Sequence, residues 1–219
     1  GIVQRIAVAA AVAGGHDVLV KAATPESGSR LRHGPLARQL LRQCPCPVWI
    51  EQPDTPPRLR GVLVAVNPDP SAPEDHALAL ELLADAAAIA RADGAALHVL
   101  HAWKLFGEGL AGDSLPGAPQ DTPLLGAALN RHAGYLESAL EATGLADPRL
   151  RRHLVHGRAS RAILATLQAG GIDLLVMGSV GRTGVPGFVI GNTAEKVLPE
   201  VDCAVLTRKP RGFRSPLMG

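Results

Sequence analysis

The sequence predicts an alternating α/β protein, a parallel sheet with helices on both faces, preceded by a partial copy of the same unit. Short aliphatic runs bounded by turn residues alternate with stretches of helical period, the pattern that implies parallel strands joined by right-handed crossovers. The chain also resembles itself. "GGHDVLVKAA" (14–23) set against "GGIDLLVMGS" (170–179) gives five identities in ten, with Asp17 opposite Asp173. With one residue inserted, "GPLARQLLRQCPCPV" (34–48) matches "GNTAEKVLPEVDCAV" (191–205) at Gly34, Ala37, Leu41, Cys46 and Val48. Such self-similarity is the mark of a repeated unit.

The second unit reads element by element. "VLVAV" (62–66) is a run of β-branched and aliphatic residues between Gly61 and "NPDP", hence a buried strand. Pro73 to Asp93 spaces Leu78, Leu82, Leu83, Ala86 and Ile89 as a helix does, and Gly94 closes it. "ALHVLHA" is a second strand, and a Gly/Pro-rich loop from Lys104 to Pro123 follows. A helix carrying Leu125, Leu129, Leu136 and Leu140 ends at Gly144. "LRRHLVHG" is a weaker third strand, and Ser160 is expected to cap the helix after it. "DLLVM" is the fourth strand, Asn192 or Thr193 opens the next helix, and "CAVLTR" is the fifth strand.

The first copy supplies only a helix, strand, helix and strand, so it lacks the opening strands of its own sheet. The expected boundaries are a partial unit over 1–52, a proline-rich linker over 53–61, a complete unit over 62–210 and a tail over 211–219. The terminal strands "CPVWI" and "CAVLT" present apolar edges, and a homodimer through them is expected, since such an edge tends to recruit another strand.

Composition narrows the function. With 219 residues, 47% of them hydrophobic, the chain can bury a sizeable core. A net charge of +2 and 3% aromatic residues do not point to nucleic acid, which needs a dense basic stripe with interleaved aromatics. No apolar run approaches a membrane span, no leader pattern is seen, and three cysteines do not make a disulfide framework, so no membrane role is expected and the cytoplasm is the expected compartment.

Five glycines, Gly178, Gly181, Gly184, Gly187 and Gly191, lie between the fourth strand and the next helix. Glycine is conformationally costly, so the cluster implies positive φ or close approach of the backbone to a ligand. Amides at a strand end, aimed with the start of a helix at one spot, suit a phosphate or another anion. Arg182, Thr183, Asn192 and Thr193 add polar groups. The loop lacks the "GK[ST]" of a Walker A motif, and it follows the fourth strand, unlike a Rossmann fingerprint.

"MGSVGRTG" followed by "IGNTAEKVL" resembles the nucleotide loop of the universal stress proteins, and Gly178, Gly181 and Gly191 fit that family's glycine spacing. "GNTAE", the "VAVN" strand end and the repeat are most similar to the tandem-domain E-type members. The resemblance implies a flavodoxin-like, adenine nucleotide alpha hydrolase-like sheet of five parallel strands. It also implies that ATP or a related adenine nucleotide is the ligand, with no cofactor beyond Mg²⁺ where the nucleotide carries it. Carried over by position, Gly178, Gly181, Gly191, Asn192 and Thr193 would hold phosphates and ribose, Met177 would lie under the nucleotide and Val99 would border the adenine. The family's acidic residue after the first strand falls at Asn67, with Asp69 the nearest carboxylate.

In the first copy Ala22 stands opposite Gly178 and Lys21 opposite Met177, and a Cβ there obstructs close approach of the main chain. That copy is not expected to bind nucleotide in the same way. Cys44, Cys46 and Cys203 read as small core residues, because no nearby ligands complete a metal set. His98 and His101 lie on opposite faces of their strand, as do His153 and His156. No "GxSxG" or paired acid is placed for hydrolysis, so nothing requires turnover. The expected function is nucleotide binding in a stress-response protein. Slow ATP hydrolysis at the same loop, involving Thr183 or Asp69, or an apolar or protein ligand in place of nucleotide, are the alternatives.

Overall fold

The structure, a computed structural model, describes residues 2–23, 34–105, 123–145, 150–180 and 190–215. Its strands are β1 (Leu19–Ala22), β2 (Val48–Glu51), β3 (Gly61–Ala65), β4 (Ala96–Trp103), β5 (Arg151–His156), β6 (Leu174–Gly178) and β7 (Ala204–Arg208). Its α-helices are α1 (Ile2–Ala13), α2 (Gly34–Gln43), α3 (Pro73–Asp93), α4 (Pro123–Ala142), α5 (Ala159–Gln168) and α6 (Asn192–Val197). A 3-10 turn, Leu198–Glu200, continues α6.

One seven-stranded sheet runs in the order β1-β2-β7-β6-β3-β4-β5. From β5 to β7 the neighbours are parallel, as the alternating pattern predicts. Alternate residues of each strand enter two apolar layers. Val62, Val64, Val99, Leu174 and Val176 pack with Leu78, Leu82 and Leu83 of α3 and Leu136 and Leu140 of α4. Leu63, Leu100, Leu175 and Val205 face Leu40 and Leu41 of α2, Ile163 of α5 and Val197 of α6. Each fully buried Leu or Val contributes about 1.5–3 kcal/mol.

α3 has the bounds its sequence predicts. Pro73 occupies its first turn, where a missing N–H costs nothing, and Gly94 stops it in the left-handed conformation at φ 69°. Ser160 does not cap α5: the cap is Arg158 in extended conformation, and Ser160 lies inside the first turn with its residue buried. The weak third strand is weak because β5 is an edge, with both arginines at its start exposed.

The repeat alignment is reproduced in strand register. Leu19 pairs with Val48, and at the corresponding positions Leu175 pairs with Val205, both in parallel. The terminal strands correct one expectation. β2 and β7 pair with each other inside the chain, antiparallel, with Val48 opposite Thr207 and Ile50 opposite Val205. The edges expected to recruit a second copy are therefore already occupied, since each strand has only two sides to pair and β7 is also bound by β6.

One position shows why a β-strand here begins with glycine. A Cβ on Gly61 would lie 2.0 Å from the Gly171 carbonyl oxygen, so the start of β3 and the turn before β6 meet backbone to backbone. Asp173 locks that junction. Its carboxylate accepts from the Arg60 amide at 2.6 Å and from the Arg60 guanidinium at 2.7 and 3.2 Å.

Candidate functional site

β3 lies between β4 and β6, and the chain leaves it toward one neighbour while the other neighbour enters from β5. The carboxyl ends of strands at such a switch point form a crevice, the usual ligand position in open α/β sheets. A cavity of about 440 Å³ occupies it, bordered by Val66 and Asn67 after β3, Leu78 and Leu82 of α3, Ile163 of α5 and Met177 and Gly178 of β6. Gly191, Asn192 and Thr193 close its far side.

The segment after β3 is folded into a turn by its own side chains. Asp69 Oδ1 accepts from the Ser71 amide at 2.9 Å and the Ser71 hydroxyl at 2.7 Å, an Asx-type arrangement that leads into α3. The Asn67 amide nitrogen donates to Asp75 at 2.9 Å, which uses one of its two N–H groups and leaves its carbonyl oxygen as an acceptor.

The glycine loop is tied at its base. Val180 bridges Ile190, the Gly191 amide donates to the Ser179 carbonyl at 3.0 Å, and the Ser179 amide donates to the Arg208 carbonyl at 3.2 Å. The Ser179 hydroxyl is buried and has no hydrogen-bond partner among the described residues. Gly181, Arg182 and Thr183, together with Gly184 and Gly187, lie outside the described residues.

Two physical expectations change here. Gly178 and Gly191 do not adopt positive φ; Gly191 is extended at φ −65°. At Gly178 the packing is close instead: a Cβ there would lie 3.0 Å from Leu78 Cδ2, the far end of a side chain, which would have to shift by a few tenths of an ångström. The following helix is also short. α6 has six residues, so its dipole supplies less positive potential than a longer helix would.

Val99 does not line the crevice: it is buried at 0% exposure in the layer under α3 and α4, whereas Leu100 and Ala102 of β4 border the cavity.

A second cavity, of about 460 Å³, adjoins the first and shares Asn67, Asn192 and Thr193 with it. Its character is different. Lys104, Arg158 and Lys196 bring three cationic side chains to it, with Asp69 as the carboxylate and Gly157 to Ser160 at the start of α5. The sequence reading missed these cations, because they sit at the ends of β4, α5 and α6 and only the fold brings them together. Lys104 and Arg158 stand just beyond the ends of β4 and β5, which was the available signal, whereas Lys196 lies within α6 and carries none.

Aromatic rings wall this cavity. Trp103 stacks on His132 with centroids 5.1 Å apart and lies 4.6 Å from His156. His101 Nδ1 meets the Val66 carbonyl at 3.2 Å, so that nitrogen carries the proton, and Nε2 accepts from His132 Nδ1 at 3.0 Å. His132 Nε2 is then left as an acceptor. Burial pushes His101 down to about 4, with the positive charge of a protonated His132 adding to it, so the ring is neutral at pH 7. Burial likewise lowers His132. On the opposite face His98 Nδ1 meets His153 Nε2 at 3.1 Å, which confirms that 98 and 101, and 153 and 156, diverge. Among the described residues no three His, Cys, Asp or Glu side chains are grouped to hold a metal ion.

Fold and crevice together define an α/β protein with a candidate ligand crevice at the carboxyl ends of a parallel sheet. The chain belongs to the universal stress protein family, whose sequence profile matches residues 60–209. It is 30% identical over 211 residues to Universal stress protein E of Photorhabdus laumondii, an alignment covering 94% of this chain and 65% of that one. Against Universal stress protein E of Escherichia coli K12 the identity is 29%, with the same coverage. The chain therefore spans about two thirds, 65%, of the length of these relatives. A crystallised Pseudomonas aeruginosa chain assigned to the universal stress proteins superposes with a TM-score of 0.75 at 27% identity, covering 96% of this chain and 69% of that one. No helix among the described residues is long and apolar enough to cross a membrane.

Proposed function

We propose that this protein is a stress-response protein that binds ATP or a related adenine nucleotide in the crevice between β3 and β6. One observation carries the reading: an apolar cavity and a cation-lined cavity meet at Asn67, Asn192 and Thr193, beside the tied base of the glycine loop. An adenine nucleotide is likewise flat and partly apolar at one end and anionic at the other. In this reading Met177 and Leu100 support the base, and Asn67 accepts from the base or ribose. Gly178, Gly191, Asn192 and Thr193 face the sugar and phosphates, with Gly181, Arg182 and Thr183 completing the loop. Lys104, Arg158 and Lys196 neutralise phosphate charge, with Mg²⁺ where the ligand brings it.

Binding without turnover is proposed, because Asp69, the acid nearest the cationic cavity, is engaged with Ser71. The three free cysteines suit the reducing cytoplasm in which the protein is proposed to work. A homodimer through the terminal strands is not part of the proposal, since β2 and β7 pair within the chain.

The apolar lining of the cavity of about 440 Å³ favours a second reading, an apolar ligand in place of nucleotide. Calorimetry with ATP, ADP and AMP, each with and without Mg²⁺, separates the two. Saturable heat with a nucleotide supports the first reading. No heat with any of them, together with uptake of an apolar fluorescent probe, supports the second. Labelled ATP recovered unchanged after incubation excludes the hydrolytic alternative.

A further inference from the structure

Away from the crevice, the junction of α2 and β2 holds two sulfurs and a buried amine. The Cys44 amide closes the last turn of α2 on the Leu40 carbonyl at 2.9 Å, and the chain bends at Pro45 and Cys46 before β2 begins. That bend folds the side chains onto each other, with Cys44 Sγ 3.3 Å from Cys46 Sγ. A covalent S–S bond is about 2.05 Å, so the two sulfurs already stand within roughly 1.3 Å of bonding distance.

Lys209, just after β7, lies behind them. It is 3% exposed, donates to the Leu41 carbonyl at 2.9 Å and sits 5.4 Å from the centre of the Phe213 ring. No carboxylate pairs with it among the described residues, whereas the neighbouring Arg208 takes both Glu81 and Asp85. A buried ammonium requires a counter-charge. The two sulfurs are the groups whose charge it senses, and a thiolate there answers that requirement.

We propose that Cys44 and Cys46 are a thiol–disulfide couple, oxidised by a low-molecular-weight disulfide of the glutathione type to an intramolecular Cys44–Cys46 bridge. Cys46 is the accessible sulfur and Cys44 the buried one. The hydrogen bond from the Cys46 thiol pushes Cys44 down to about 7, against the effect of burial and with help from the Lys209 charge. The same shared proton, together with burial, raises Cys46. Transfer of that proton to Cys44 frees the Cys46 thiolate, which attacks the small disulfide and expels one small thiol. Cys44 then loses its proton to water and attacks the Cys46 sulfur, expelling the second. Two protein thiols become one S–S bond, and the small disulfide gains the two electrons and two protons as two thiols.

Cys203 is the internal control. It occupies the position of Cys46 in the second copy, but Val201 stands where Cys44 would, and burial raises its thiol to about 12. A half-buried single sulfur with no second thiol beside it has no route to the same reaction.

The test is incubation of the purified chain with glutathione disulfide at graded pH, followed by alkylation, intact mass and peptide mapping. The expected result is loss of two of the three thiols together, a mass lower by two hydrogens, a linked Cys44–Cys46 peptide and an alkylated Cys203. Cys44→Ser is expected to stop with glutathione retained on Cys46, and Lys209→Gln to move the rate profile to higher pH. A persistent glutathione adduct on wild-type Cys46, a disulfide joining two chains, or oxidation of Cys203 ahead of the pair overturns the proposal. The wild-type map decides the matter even where a variant fails to fold.

Discussion

The strand-helix-strand segments β1-α2-β2 and β6-α6-β7 share their sequence pattern and strand register, yet they differ in what the pattern does. Asp173 is buried and holds Arg60 through backbone and guanidinium, while its counterpart Asp17 is exposed. The difference comes from the neighbour. β6 lies against β3, and Arg60 just before β3 supplies the donors, whereas β1 is an edge. A repeated motif thus carries the same local geometry in both places and acquires energetic weight only where a strand is packed beside it.

The severest way to break that contrast is at the point of closest approach. Gly61→Ala forces a methyl group onto the Gly171 carbonyl, and the denaturant midpoint is expected to fall by the equivalent of about 3 kcal/mol. Acid is the next. His101 in the folded chain protonates only near 4, whereas an unfolded histidine does so near 6.5, so its contribution is complete above about 6.5 and drains away as pH falls toward 4. Roughly 3 kcal/mol of stability is expected to be lost over that interval, read by urea unfolding at stepped pH. His98, His132 and His153, all lowered first by burial and all within the β3–β7 half, act in the same direction.

Asp173→Ala is expected to cost about 2 kcal/mol, because it leaves the Arg60 amide without its acceptor, while Asp17→Ala stays within about 0.5 kcal/mol. Equal losses at the two aspartates would remove the basis of the comparison. Gly178→Val meets the mobile end of Leu78 and is expected to cost only about 1 kcal/mol in stability. It should nonetheless abolish the nucleotide heat, which the reciprocal Ala22→Gly will not create.

Local rules made much of the fold legible. Pro73 and Gly94 bracket α3 at its true ends, and the match between the two copies gives the pairing of Leu19 with Val48 by analogy with Leu175 and Val205. What was not legible depends on partners distant in sequence. An apolar edge on β2 announces that something will pair with it, but not that the partner is β7 of the same chain. Val99 and Leu100 are equally apolar neighbours in one strand, and their chemistry does not say which of them borders the crevice. Lys104, Arg158 and Lys196 are unremarkable singly and become a site through the sheet order.

The antiparallel seam between β2 and β7 has a geometric consequence. It reverses the direction of the first two strands relative to the other five, so the carboxyl ends of β1 and β2 lie on the rim of the sheet opposite the crevice. Ala22 and Gly178, the strand ends that correspond in the two copies, therefore lie on opposite rims of one sheet.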